Sequence, residues 1–91
     1  MVEIHCTITG DVQNVGFRDY VQRSADALLV VGWVRNRTDE SVELIAQGNP
    51  DALKEFIEHL HEGSLHAIVE GMSVDWRTAK NVYDDFAIRH D

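Results

Sequence analysis

The 91-residue sequence is poor in cysteine, proline, aromatic residues and positive charge. Its one cysteine can form no internal disulfide and leaves no Cys-rich metal knuckle. Eight lysine and arginine residues oppose 16 acidic ones, and the net charge of −8 argues against binding to nucleic acid or to anionic membranes. No apolar run approaches the roughly 20 residues of a spanning helix, and no signal peptide is visible. These absences predict a cytoplasmic protein.

The residues that are present suffice for one small hydrophobic core. Apolar residues make up 44% of the chain and charged residues 26%, which is the balance of an ordinary globular protein. A chain of this length cannot hold two independent cores, and no linker, low-complexity segment or internal repeat divides it. We therefore expect a single domain over residues 1–91.

The spacing of apolar residues changes along the chain and predicts alternating strands and helices. Apolar and polar residues alternate over residues 2–9, a pattern typical of a half-buried strand, which stops at Gly10. From Phe17 the apolar residues recur at helical spacing for about three turns. Asn49 and Pro50 begin a second helix, as its cap and its first residue, and Gly63 ends it. The predicted strands are residues 2–9, 29–37, 42–48, 67–76 and 86–89.

This order of elements predicts an α+β, ferredoxin-like βαββαβ sandwich with a short C-terminal strand. Both helices cover one face of the sheet, and in the fourth strand Ile68 is expected on the same side as Met72, Val74 and Trp76. Right-handed crossovers make the first and second strands parallel, with the third strand between them. The loop at residues 10–18 and the neighbourhood of Asn36 should therefore lie near each other.

Residues 10–18 are the segment best suited to chemistry. They run from a strand into a helix, so several backbone N–H groups turn toward one point, and the helix N-terminus adds partial positive charge there. Arg18 stands where the helix begins, and its guanidinium can grip two oxygens of a phosphate at the same point. An anion site of this kind is compatible with a negative net charge, because the local field decides binding.

A competing interpretation is that Gly10 and Gly16 only allow the chain to turn, and that Arg18 is a solvated residue at a helix start. Spacing alone favours this interpretation, because strand–loop–helix turns that contain glycine are common. The loop is not a Walker loop, since no Gly-Lys-Ser/Thr follows it. It also lacks the G-x-G-x-x-G spacing of a dinucleotide site.

Two motifs give the sequence a family resemblance. Gly-Asp-Val-Gln-Asn-Val-Gly-Phe-Arg at residues 10–18 closely resembles the acylphosphatase signature G-x-V-Q-G-V-x-F-R. Gly-Trp-Val-Arg-Asn at residues 32–36 resembles that family's second motif, G-W/L-V-x-N. The end of the third strand, the second helix and the last strand also fit, so the resemblance covers nearly the whole chain.

The resemblance implies hydrolysis of the carboxyl–phosphate anhydride of an acyl phosphate, without a metal or cofactor. By motif, Arg18 would bind the phosphate together with the loop amides, and Asn36 would position the attacking water. Family members are usually monomers, and the partners implied are the small acyl phosphate and inorganic phosphate. The phosphate-binding loop would consist of Gln13, Asn14, Val15, Gly16, Phe17 and Arg18.

One departure and two alternatives accompany this resemblance. Asn14 stands where the family pattern has glycine, and asparagine is the least costly replacement if the position has positive φ. The chain could instead be a non-catalytic anion-binding or regulatory module, because this fold alone does not settle function. It could also be a portion of a larger maturation enzyme that begins with an acylphosphatase-like domain, which the lack of Cys-rich sequence downstream disfavours.

Two other groups of residues invite a chemical interpretation. Cys6 lies on the apolar side of the first strand and twelve residues before Arg18, so it is predicted to be a core thiol and not a nucleophile. His59, His61 and His66 are predicted to be solvated, because residues two apart on a helix point to different sides and cannot share a metal.

Overall fold

The structure, a computed structural model, describes residues 1–90. Its strands are β1 (Val2–Asp11), β2 (Val31–Asn36), β3 (Val42–Gly48), β4 (Ile68–Thr78) and β5 (Phe86–Arg89), and its helices are α1 (Phe17–Ala27) and α2 (Pro50–Glu62). The predicted order of elements is confirmed. Neither helix in this part of the chain is long and apolar enough to cross a lipid bilayer.

The five strands form one sheet in the order β4-β1-β3-β2-β5. β3 lies between β1 and β2 and is antiparallel to both, so β1 and β2 are parallel, as the crossover argument predicts. β5 adds to the far edge and runs parallel to β2. The ferredoxin-like prediction is therefore confirmed. Because β1 and β2 are parallel, their C-terminal ends lie at the same end of the sheet.

Both helices cover the same face of this sheet. The inward side chains of α1 and α2 and alternate residues of β1 and β3 belong to one core cluster. A strand exposes opposite faces through successive residues, so a core on one face requires this alternation. The fully buried members are Ile4, Cys6, Ile8, Val21, Ala25, Val34, Val42, Leu44, Ala46, Leu53, Phe56 and Leu60.

The ends of α2 follow from local signals in the sequence. The Asn49 side chain accepts a hydrogen bond of 2.9 Å from the backbone N–H of Asp51, which caps the helix. Pro50 is the first helical residue, and Gly63 ends the helix with φ 76°. The predicted start and stop of this helix are both confirmed.

β1 does not stop at Gly10, as the sequence suggested, but continues through Asp11. A β-bulge lets it do so: Thr9 pairs with Gly71 and Gly10 with Val69, so β4 contributes one extra residue. Gly10 has φ 129°, and a Cβ built on it would lie 2.1 Å from the carbonyl oxygen of Ile68. Glycine therefore allows a close strand contact here instead of ending the strand.

The bulge also overturns the expected orientation of Ile68. Beyond the extra residue the two faces of β4 exchange, so Val69 packs against the core together with Met72 and Val74, and Ile68 is 61% exposed. The start of β2 was wrong for a local reason. Leu29 has φ 58° and projects into solvent, and the strand begins only at Val31.

Candidate active site

The segment between β1 and α1 is held at both ends by buried side chains. Val12 and Phe17 are buried in the core, and between them Asn14 and Gly16 adopt left-handed conformations with φ 62° and 74°. Left-handed residues in a short loop bend the backbone into a concave nest of N–H groups. Asn14 has the positive φ at which asparagine was expected to replace glycine at little cost, because asparagine tolerates this region better than most side chains.

α1 leaves its first amides free of helical bonds. The first bond of the helix runs from the backbone N–H of Tyr20 to the carbonyl oxygen of Gly16, at 3.1 Å. The amides of Phe17, Arg18 and Asp19 therefore precede the hydrogen-bond ladder and point out of the helix N-terminus. This end of the helix carries partial positive charge, which favours an anion.

A cavity of about 310 Å³ opens at this helix start. Loop residues, the first residues of α1 and the end of β5 surround it. Its lining consists of Val12, Asn14, Gly16, Phe17, Arg18, Asp19, Ile88 and His90. Most of the predicted phosphate-binding loop thus faces one concave space, which is large enough for a phosphoryl group with part of an acyl chain.

The Arg18 guanidinium is turned toward the end of β5. Its Nη1 donates to the carbonyl oxygen of Arg89 at 3.4 Å and lies 3.3 Å from Nδ1 of His90. Sequence reasoning missed His90 and Ile88 as neighbours of the loop. The pattern at residues 86–89 predicted a strand, but nothing in it indicated that this strand pairs with β2 beside the site.

Asn36 is the last residue of β2 and faces the helix-covered side of the sheet. It pairs with Val42, a core residue, just as Val34 pairs with Leu44. Its Oδ1 is buried and has no hydrogen-bond partner among residues 1–90. A buried acceptor without a protein partner is uncommon and marks a candidate site for a bound molecule.

Arg18 and Asn36 lie at one edge of the molecule but do not line one cavity. Asn36 lines a separate space of about 280 Å³ with Arg35, Arg37 and Thr38. The connection between them runs through β5, because Arg35 pairs with Arg89, whose carbonyl oxygen receives Arg18. Adjacent strands lie about 4.8 Å apart, so the end of β5 that receives Arg18 lies beside the strand that carries Asn36.

The side chains of Gln13 and Val15 do not line the cavity around Arg18. Gln13 points away from it, and its Nε2 lies 2.9 Å from the carbonyl oxygens of both Arg37 and Ser41. Val15 packs against the core and its carbonyl accepts a hydrogen bond of 3.2 Å from Ser64 Oγ. The expected proximity of the loop to the end of β2 is observed, through Gln13.

A charged network on the open face of the sheet supports the strand that carries Asn36. Glu43, opposite Arg35 in the register, accepts from His5 at 2.6 Å and from Arg35 at 2.7 Å. Burial raises the pKa of Glu43, but the hydrogen bonds from His5 and Arg35 favour its ionised form more strongly and lower the pKa below the usual 4.5. The network therefore needs an ionised carboxylate.

Stability should depend on this carboxylate. Because the pKa of Glu43 is lower in the folded chain, its ionised form stabilises the fold above about pH 4.5, and this stabilisation disappears as the pH falls through the folded-state pKa. We expect Glu43→Gln to lower the free energy of unfolding by about 1–2 kcal/mol at neutral pH. Urea titrations at several pH values would measure it. The difference between variant and wild type should shrink at low pH, and a constant difference would contradict the assignment.

Cys6 and the histidines of α2 do not line the cavity around Arg18. Cys6 is buried, and this burial raises the pKa of its thiol to about 12, so it is protonated at neutral pH and a poor nucleophile. His59 and His61 lie in the last turn of α2, where positive charge is favourable. Within residues 1–90, no three His, Cys, Asp or Glu side chains converge as a metal site would require.

Comparison with known proteins supports the family resemblance that the two motifs carry. The acylphosphatase family model matches residues 4–88. An acylphosphatase from Salinibacter ruber is 48% identical over 86 residues, which are 94% of this chain and 90% of that relative. An acylphosphatase from Bacillus velezensis is 39% identical and is covered over its full length by 99% of this chain.

The fold agrees equally well. The crystal structure of an acylphosphatase from Bacillus subtilis superimposes with a TM-score of 0.95 at 37% identity, over 98% of this chain and 99% of that one. The chain belongs to the acylphosphatase family and is an enzyme that hydrolyses acyl phosphates.

Proposed function

We propose that Arg18 and the free amides of the loop and the α1 N-terminus bind the phosphoryl group, and that Asn36 orients the attacking water. The observation that carries this proposal is that three features occur at the same end of the sheet: a guanidinium lining a cavity, the amides of residues 17–19 that precede the helical hydrogen-bond ladder, and a buried acceptor without a partner among residues 1–90. A dianionic phosphoryl group would bind to the guanidinium and the amides. A water that donates one hydrogen to Asn36 Oδ1 would satisfy the buried acceptor.

The reaction needs positioning more than acid–base chemistry. The water oxygen attacks phosphorus while the bond between phosphorus and the acyl oxygen breaks, and the carboxylate leaves with the electron pair. One proton of the water passes to a phosphoryl oxygen, so no protein base is required. The Arg18 guanidinium and the loop amides stabilise the charge on the phosphoryl oxygens in the transition state. Because the carboxylate is already a good leaving group, orientation and charge stabilisation supply the rate.

An assay with a simple aromatic acyl phosphate tests this function. We expect release of one carboxylate and one inorganic phosphate per turnover, with inorganic phosphate as a competitive inhibitor because it fits the same cradle. Inhibition that does not compete with substrate would place phosphate elsewhere and contradict the assignment of the cavity around Arg18.

Asn14 should be tolerated in the phosphate loop. It lines the cavity and already has the left-handed conformation that a glycine would supply, so the loop keeps its shape. We expect Asn14→Gly to change kcat/KM by less than tenfold in the same assay. A gain above tenfold would show that the Asn14 side chain obstructs the cradle.

We also propose that the enzyme acts as a monomer in the cytoplasm. The net charge of −8 opposes self-association through mutual repulsion, and the family resemblance implies single chains. Light scattering at physiological salt should give the mass of one chain, and a dimer mass would contradict the proposal.

A further inference from the structure

The side chain of Gln13 joins the phosphate loop to the turn between β2 and β3. Its Nε2 donates to the carbonyl oxygens of Arg37 and Ser41, both at 2.9 Å. The Ser41 carbonyl also accepts from the backbone N–H of Arg37 at 2.8 Å. One carboxamide therefore holds both sides of the turn, and both of its N–H groups are used in doing so.

This contact links the two parts of the proposed site. Gln13 directly precedes Asn14, whose side chain lines the cavity around Arg18, and Arg37 directly follows Asn36. Within residues 1–90, no other hydrogen bond joins residues 12–16 to residues 36–41. Gln13 therefore supplies the hydrogen bonds between the loop and the turn that follows Asn36.

We propose that Gln13 is a positioning residue that sets the distance between the bound phosphoryl group and the water oriented by Asn36. The inference rests on the proposed roles of Arg18 and Asn36. The Gln13 side chain does not contact substrate, because its N–H groups are engaged with the turn and it lies outside the cavity around Arg18. In-line attack tolerates little error, since a displacement of about 1 Å costs roughly 100-fold in rate.

Gln13→Met tests this role, since methionine has a similar length and shape but no donor. We expect kcat to fall by about 10- to 100-fold. The inhibition constant for inorganic phosphate should stay within about threefold of wild type, because the amides and Arg18 that bind phosphate are retained. An unchanged kcat, or a loss of phosphate affinity as large as the loss of kcat, would overturn the proposal.

Gln22→Met is the matched control. Gln22 also donates its Nε2 to a backbone carbonyl, that of Phe86 at 3.0 Å, but it joins α1 to the start of β5 and leaves the turn untouched. We expect its kcat to equal that of wild type. A control with the same loss as Gln13→Met would show that any lost tertiary hydrogen bond slows the reaction, which would refute a specific role.

A double-mutant cycle separates positioning from independent effects. If Gln13 acts through Asn36, Gln13→Met should cost less than about threefold in an Asn36→Ala background, while independent effects would multiply. Full additivity would overturn the inference but not the proposed function. An Asn36→Ala variant with normal turnover would instead remove the proposed function.

Gln13→Asn replaces Gln13→Met if the methionine variant does not fold. This variant keeps the amide but is one methylene shorter, so it should show the same loss of kcat and the same retained phosphate affinity. A normal kcat would refute the inference.

Discussion

Arg18→Gln should nearly abolish hydrolysis, with kcat/KM reduced by at least about 10³-fold. The guanidinium lines the cavity at the α1 N-terminus and can contact two phosphoryl oxygens, whereas a glutamine amide offers fewer donors and no charge. Inhibition by inorganic phosphate should weaken in parallel, because ground state and transition state both carry phosphoryl charge. Initial rates with an aromatic acyl phosphate, with and without added phosphate, measure both effects.

The chain offers a matched control for this substitution. Arg23 lies on the same helix, is exposed, and does not line the cavity around Arg18. Arg23→Gln makes the same change in net charge, so it reports any general electrostatic effect on an anionic substrate. We expect less than a twofold effect of this control at 0.15 M salt, where exposed distant charges are screened. Equal losses in the two variants would mean that total charge, and not the Arg18 cradle, controls the rate.

Asn36→Ala should lower kcat by about 10²- to 10³-fold while inorganic phosphate still binds with nearly wild-type affinity. This separation follows from the structure, because Asn36 does not line the cavity around Arg18. Only the transition state loses an interaction, since the water must be held in line with the breaking bond. Full turnover in this variant would remove Asn36 from the mechanism. Weakened phosphate binding would show instead that Asn36 helps to bind the phosphate.

The same variant should not be less stable than wild type. Asn36 Oδ1 is buried without a hydrogen-bond partner among residues 1–90, so alanine removes no hydrogen bond between this oxygen and the described protein. The melting temperature of Asn36→Ala should therefore stay close to or above that of wild type although the activity is lost. A variant that keeps its stability while losing turnover is expected where a polar group is retained for function.

Local patterns predicted most of the fold because they report which side of each element is buried. The helical spacing after Phe17 and the cap at Asn49 gave the correct starts of both helices. The errors fall where a backbone conformation overrides the pattern. The bulge beside Gly10 turns the Ile68 side chain toward solvent, and the left-handed conformation of Leu29 makes β2 begin two residues later than predicted. Apolar spacing reports neither conformation: the bulge depends on how β1 packs against β4, and the left-handed Leu29 belongs to the turn that ends α1, which the N–H of Val30 closes on the carbonyl of Ala25 at 2.8 Å.

The amino-acid sequence by itself determined the strand–loop–helix segment, Arg18 at its end and the expectation that Asn36 lies at the same sheet edge. These features follow from periodicity, caps and the handedness of crossovers. The tertiary structure alone decided that the end of β5 brings Arg89 and His90 to Arg18, across 71 and 72 residues of chain, and that Gln13 bridges to the β2–β3 turn. Such contacts join groups far apart along the chain, and their formation depends on the packing of whole elements, which no local pattern encodes.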